Sequence, residues 1–208
     1  MKSIQISFLS LVLTLLIQSC STSTKITAQW TDKNYQKGNV SRVLILGITP
    51  RETIRRVYEI DLAERLEAIG VEGSPSSEVF PSKMKLDTNT FRLHFKNEGY
   101  DVVITSQLVS ADKEQHYQQG YGYSPYPYNR GFYGYYGSAY DMAYSPGYSY
   151  STTTLKIETK MYDTKTEQII WAGISDTFNP SDDVDAIRSL NRKLVYEWDK
   201  AGFFKSKK

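Results

Sequence analysis

The chain is poor in the residues that most often carry chemistry: it has one cysteine and two histidines among 208 residues. A single Cys cannot form an internal disulfide, and without a Cys/His cluster no zinc-ligand spacing exists. Ser76 and Ser77 lack a Gly-x-Ser-x-Gly frame and no His other than His94 and His116 is present, which excludes a serine hydrolase. The formal charge is only +2, so there is no broad basic surface of the kind nucleic acid requires. Gly47 ends an apolar segment that feeds a helix start, but no phosphate-loop arrangement of Gly, Lys and Thr follows, and a nucleotide site is unsupported. Asp182, Asp183 and Asp185 open a helix, where the macrodipole favours acids, and they lack the spaced ligands and the glycine of a calcium loop. The expectation is therefore a non-enzyme with no catalytic residue, no metal, no cofactor and no nucleic-acid partner.

What is present begins at the N-terminus. Lys2 precedes an apolar run from Ile4 to Ile17, and the segment closes on Ile17-Gln18-Ser19-Cys20. The run is too short for a bilayer span, which needs about 20 residues, and reads as a secretory signal peptide over residues 1–19. Its ending resembles the bacterial lipobox. That resemblance implies cleavage between Ser19 and Cys20, thioether lipidation of Cys20 and acylation of the new amine, as by palmitate. The covalent lipid is then the only non-protein group, and two or more acyl chains make the anchor stable. Ser21, where inner-membrane retention usually needs Asp, implies the outer membrane, with the domain on its periplasmic face.

The mature chain divides into a lipidated tether at 20–25, a single domain at 26–204 and a basic tail at 205–208. A five-residue tether reaches roughly 15 to 18 Å. Ile26 to Trp30 alternates as a short strand, and Val43 to Gly47 reads as a buried one. Thr49-Pro50-Arg51-Glu52 has the form of a capping box with Pro at the first helical position. Ile54, Val57, Tyr58, Leu62, Leu66 and Ile69 then recur at helical spacing up to Gly70, and Arg55 with Glu59 reads as a solvated pair off that stripe. Val71–Ser74 and Glu78–Phe80 read as strand fragments. Asp87 caps a second helix through Phe91 and Phe95 to Gly99, with His94 as a structural residue, and Tyr100–Thr105 starts a strand running to about Val109. After an insertion, Leu155, Ile157 and Met161 alternate with charged residues, Asp163–Thr166 turns, and Gln168–Ile174 completes an antiparallel hairpin. Val184, Ile187, Leu190, Leu194 and Trp198 place a last helix that ends at Gly202. This rhythm predicts an α/β fold: a mixed sheet packed with about three helices, with a long Tyr-rich insertion before a C-terminal β-hairpin and helix.

The insertion, 115–150, holds 12 of the 17 Tyr, interleaved with Gly, Pro and Ser. Pro125, Pro127 and Pro146 oppose helix and central strand, so it reads as an inserted loop. Tyr offers broad contact area with one hydroxyl and a low entropy cost, so Tyr121, Tyr123, Tyr126, Tyr128, Tyr133, Tyr135 and Tyr136 are the candidate binding residues. The same composition equally describes a low-complexity cover over the sheet.

In order along the chain, Gln29-Trp30-Thr31-Asp32, Val43 to Ile48, Arg55 to Glu59, Leu66 to Val71, Gly99 to Val103, the Tyr/Gly-rich insertion and Tyr162 to Trp171 resemble a family of bacterial envelope lipoproteins that carry a domain of unknown function. Glu167 stands where that family's hairpin is expected to have glycine, which bears on the turn type. The strand–helix rhythm is also similar, at the level of fold, to accessory lipoproteins of polysaccharide export, curli secretion and peptidoglycan-synthase activation. The resemblance implies a non-catalytic, membrane-anchored assembly or accessory module whose partner is an envelope protein or a second copy. The alternative is a glycan or cell-wall binder that uses the Tyr-rich loop.

Overall fold

A computed structural model of the chain describes residues 22–80, 98–118 and 148–204. The helix expected from Asp87, with Phe91, His94 and Phe95, lies outside the described residues, as do Ser19, Cys20, the seven candidate tyrosines and the basic tail. Along the chain run β1 (Ser23–Thr31), β2 (Arg42–Ile48), α1 (Glu52–Ala68), β3 (Glu72–Pro75), α2 (Ser76–Val79), β4 (Val102–Gln118), β5 (Tyr148–Asp163), β6 (Ile169–Phe178) and α3 (Asp183–Lys200). They form one mixed six-stranded sheet in the order β1-β6-β5-β4-β2-β3. β2 runs parallel to both β3 and β4, and the β4–β5, β5–β6 and β6–β1 pairs are antiparallel. The expected α/β class and the C-terminal hairpin and helix are present.

Helices α1 and α3 pack together on one face of the sheet. Val43, Ile45, Val102, Ile104, Met161 and Trp171 meet Leu62, Leu66, Leu190, Leu194 and Trp198 in one core. Burying each such side chain contributes about 1.5–3 kcal/mol. The indoles of Trp171 and Trp198 meet edge to face at 5.4 Å. A second, smaller cluster of Leu44, Phe80, Tyr100 and Val103 lies on the opposite face. Gly73 is required where α1 crosses β3, because a Cβ there would lie 2.7 Å from the Ala63 backbone.

Local readings change where tertiary partners compete. α1 begins at Glu52, with Arg51 as its cap residue and no side-chain cap, so the Thr49–Glu52 box does not form. Thr49 Oγ1 instead accepts the Arg51 amide at 3.3 Å, and Glu52 accepts from Arg55 at 3.1 Å and Arg56 at 2.9 Å. Charge-assisted bonds within the helix displace a bond to a neutral amide. The Arg55–Glu59 pair is also absent, since Glu59 turns into the interior and is fully buried. Ser76–Val79 forms a turn of helix where the sequence reads as strand at Glu78 and Val79, and Phe80 packs against Leu44 and Tyr100.

Several strands run beyond the bounds read from the sequence, β6 among them, which continues past Ile174 to Phe178. β1 starts at Ser23 rather than Ile26, so residues 23–25 of the stretch read as a tether are paired strand. β4 continues past Val109 to Gln118, and β5 begins at Tyr148 rather than Thr152. The first and last few residues assigned to the inserted loop, 115–118 and 148–150, are thus paired strand.

Candidate functional site

Thr22, two residues after Cys20 in the sequence, is held against α3. The Thr22 hydroxyl donates to the Asp185 carboxylate, and the Ser189 hydroxyl donates to the Thr22 carbonyl at 3.0 Å. Thr24 continues the contact to Ser189 at 2.8 Å and shares a hydrogen bond with the buried Thr177 at 2.8 Å. The Thr22 hydroxyl and the Ser181 amide hold the Asp185 carboxyl below its ordinary value. Of its neighbours, Asp182 caps α3 by accepting the Asp185 amide at 2.8 Å, and Asp183 pairs with Arg51 at 2.6 Å. Of the three acids named from the sequence, Asp182 therefore caps α3, Asp183 ties its start to Arg51, and Asp185 fastens the N-terminal segment to it.

The same end of the sheet carries a projection. β2 leaves the β4 ladder at Gln107, and β6 leaves the β5 ladder at Thr154. Beyond the Asp112–Thr154 row, among the described residues, only the strands β4 and β5 remain, paired from Lys113–Thr153 to Gln118–Tyr148. A bulge between Leu108 and Ser110 marks the departure from β2 and adds local twist. On this arm His116 stacks on Tyr150 at 5.0 Å and shares a hydrogen bond with Thr152 at 2.9 Å. At its base an apolar groove of about 160 Å³ opens between Ile54, Leu108, Leu155, Ile157, Ile187 and Leu190.

Polar groups in the interior are structural. The Tyr58 phenol, Ser106 and Thr159 form a buried hydroxyl chain at 2.6 and 2.7 Å. Burial pushes the Tyr58 phenol up in pKa, against the opposing effect of the Ser106 bond. Glu59 accepts the Gly47 amide at 2.9 Å, the Ser76 hydroxyl at 2.6 Å and the Ser77 amide at 2.8 Å. Ser76 and Ser77, weighed from the sequence as nucleophiles, are ligands of this carboxylate and are themselves buried.

At the opposite end of the sheet a polar cavity of about 360 Å³ is lined by Asp32, Tyr35, Asn39, Asp101, Asp163 and Gln168. Its carboxylates are turn builders. Asp101 accepts the Ser41 amide, the Ser41 hydroxyl and the Arg42 amide at 2.8, 2.8 and 3.0 Å. Asp163 accepts the Lys165 and Thr166 amides at 3.0 and 2.7 Å. Burial opposes the Asp101 charge, yet the Ser41 and Arg42 donors and the Lys165 ammonium hold its carboxyl below the ordinary value. Burial, with the fields of Asp163 and Asp101, pushes Tyr35 up to about 12.

The sheet face away from α1 and α3 presents Trp30, 54% exposed, beside Ala172 and the Lys160–Glu158–Gln107 network. The sequence reading placed Trp30 in a strand without a surface role. The alternation Trp30–Thr31 against Ala172–Trp171 is the signal that sends it to the outer face.

No family model matches the chain, and no curated protein matches it. Among solved structures, the PelC dodecamer from Paraburkholderia phytofirmans is similar at 11% identity and a TM-score of 0.44, covering 90% of this chain and 99% of that one. Lipoprotein GNA1162 from Neisseria meningitidis is similar at 14% identity and a TM-score of 0.40, covering 77% and 96%. Likenesses of this degree carry no argument about activity, partners or assembly.

Proposed function

We propose that the chain is a lipid-anchored protein of the bacterial envelope, held by Cys20 on the periplasmic side of the outer membrane. It acts without catalysis, as an interaction module for an envelope assembly. The observation that carries this reading is the attachment of Thr22 to α3 two residues beyond the lipobox cysteine. An anchor so close to a rigid element keeps the domain at the bilayer surface, and its partner must be met there. Among the described surfaces, the open sheet face around Trp30 and the free edge of β1 support a contact role, since an edge strand offers unpaired amides and carbonyls.

Crosslinking of the full lipidated protein in native membranes, beside Cys20→Ser, tests the reading. The substituted protein is expected to leave the membrane fraction, and the wild type to give a reproducible membrane partner or a ladder of self-crosslinks. Retention of Cys20→Ser in the membrane would refute the anchor. Capture of bulk envelope proteins alone would refute the assembly role.

A further inference from the structure

We propose that the β4–β5 arm is a second membrane contact, with its outer rows resting in the headgroup layer of the bilayer that holds Cys20. The inference rests on the anchored reading above and on the strand register. Ser23 pairs with Phe178, and Phe178 with Thr154, so Ser23 and Thr154 lie in one row across the sheet. β1 enters the sheet at this row and runs away from it, while β4 leaves through it. The anchor and the arm therefore extend from the same end of the domain.

Their reaches differ. Three residue steps separate Ser23 from Cys20, so the lipidated residue lies at most ~11 Å beyond the row. Thr22 is already tied to α3, which shortens that limit. The arm adds six further paired rows, Lys113–Thr153 to Gln118–Tyr148, or ~20 Å at about 3.3 Å per residue. Its last three rows thus pass the furthest position of Cys20 by roughly 2 to 9 Å, a span comparable with the headgroup layer of about 5 to 8 Å on each side of a bilayer core.

The composition changes along the arm in the sense this placement requires. The rows near the sheet carry Asp112, Lys113 and Glu114. The outer three pair His116 with Tyr150, Tyr117 with Ser149 and Gln118 with Tyr148. Tyrosine, with an apolar ring and a polar tip, concentrates at the membrane–water interface, whereas acidic side chains do not favour it. A ribbon of two strands is marginal by itself in water, and a surface beneath it supplies support that no third strand among the described residues provides.

Cys20 is the only cysteine and its thiol is committed to the lipid, so a substituted cysteine can be labelled uniquely. The full lipidated protein would carry an environment-sensitive fluorophore at Ser149→Cys on the outer arm, at Lys113→Cys near its base, or at Thr166→Cys in the turn at the far end of the sheet. All three native residues are exposed. Each protein would be reconstituted on vesicles of phosphatidylethanolamine and phosphatidylglycerol, with or without lipids carrying a quencher just below the headgroups. The Ser149 label should shift to the blue and lose roughly half its emission to a quencher at that depth. The Lys113 label should be quenched less, and the Thr166 label not at all. A floating protein whose Ser149 label is quenched no more than the Thr166 label would overturn the arm contact and leave the anchor standing. Failure of the lipidated protein to float with the vesicles would overturn the anchor, and this proposal with it.

Discussion

The carboxylate of Glu59 accepts the amide of Gly47 at 2.9 Å, joining the second turn of α1 to the end of β2. The same group accepts Ser76 and Ser77 at the start of α2. One fully buried acid thereby sets the geometry of the strand–helix–strand unit formed by β2, α1 and β3.

Glu59→Gln keeps the volume but turns an NH₂ donor toward a group that already donates. It is expected to lower unfolding stability by about 1–3 kcal/mol. Glu59→Ala should lower it further, since it strands the Gly47 and Ser77 amides and opens a cavity. Urea unfolding checks both, read as a shift in midpoint with the slope unchanged.

Asp101 predicts a pH dependence. Its carboxyl is held below the ordinary value in the fold, so its contribution is complete above the unfolded value of about 3.9. That contribution disappears as pH falls through the lower folded value. Asp101→Asn should therefore be less stable than wild type at neutral pH, with the gap narrowing below about pH 4 and closing in stronger acid. Unfolding midpoints of the two proteins across that range decide it; a gap constant down to pH 2 would contradict the assignment.

Glu167 adopts φ = 60° in the β5–β6 turn, the left-handed region that glycine enters without a Cβ penalty. Its amide donates to the Asp163 carbonyl at 2.9 Å, a bond that glycine retains. Glu167→Gly is expected to stabilise the protein by about 1 kcal/mol, seen as a higher thermal midpoint. Glu167→Val, β-branched at a positive φ, should lower it.

Glu59 shows why part of this organisation could not be read locally. A Glu four residues after an Arg on a helix suggests a surface pair, but the groups that bind Glu59 arrive from 12 residues before it and 17 and 18 residues after it. Its spacing of three and four to the buried Leu62 and Ala63 places it on the inward stripe, and that was the available signal. The arm escaped for a different reason. Neither face of residues 113–116 packs on a core, so the period of two that marks a strand is missing from their side chains and survives in the backbone pairing.

The sequence by itself determined the features set by local chemistry: the α/β rhythm, the antiparallel hairpin and the amphipathic stripe of α3. Each depends on residues close together in the chain, where propensity and periodicity act directly. Only the tertiary structure decided what depends on distant neighbours: the inward turn of Glu59, the tie of Thr22 to Asp185 and Ser189, and the row that aligns Ser23 with Thr154. The physical reason is register. Strand pairing fixes the positions of remote residues to within one step of about 3.3 Å, and this alignment places Ser23 and the arm at one end of the domain.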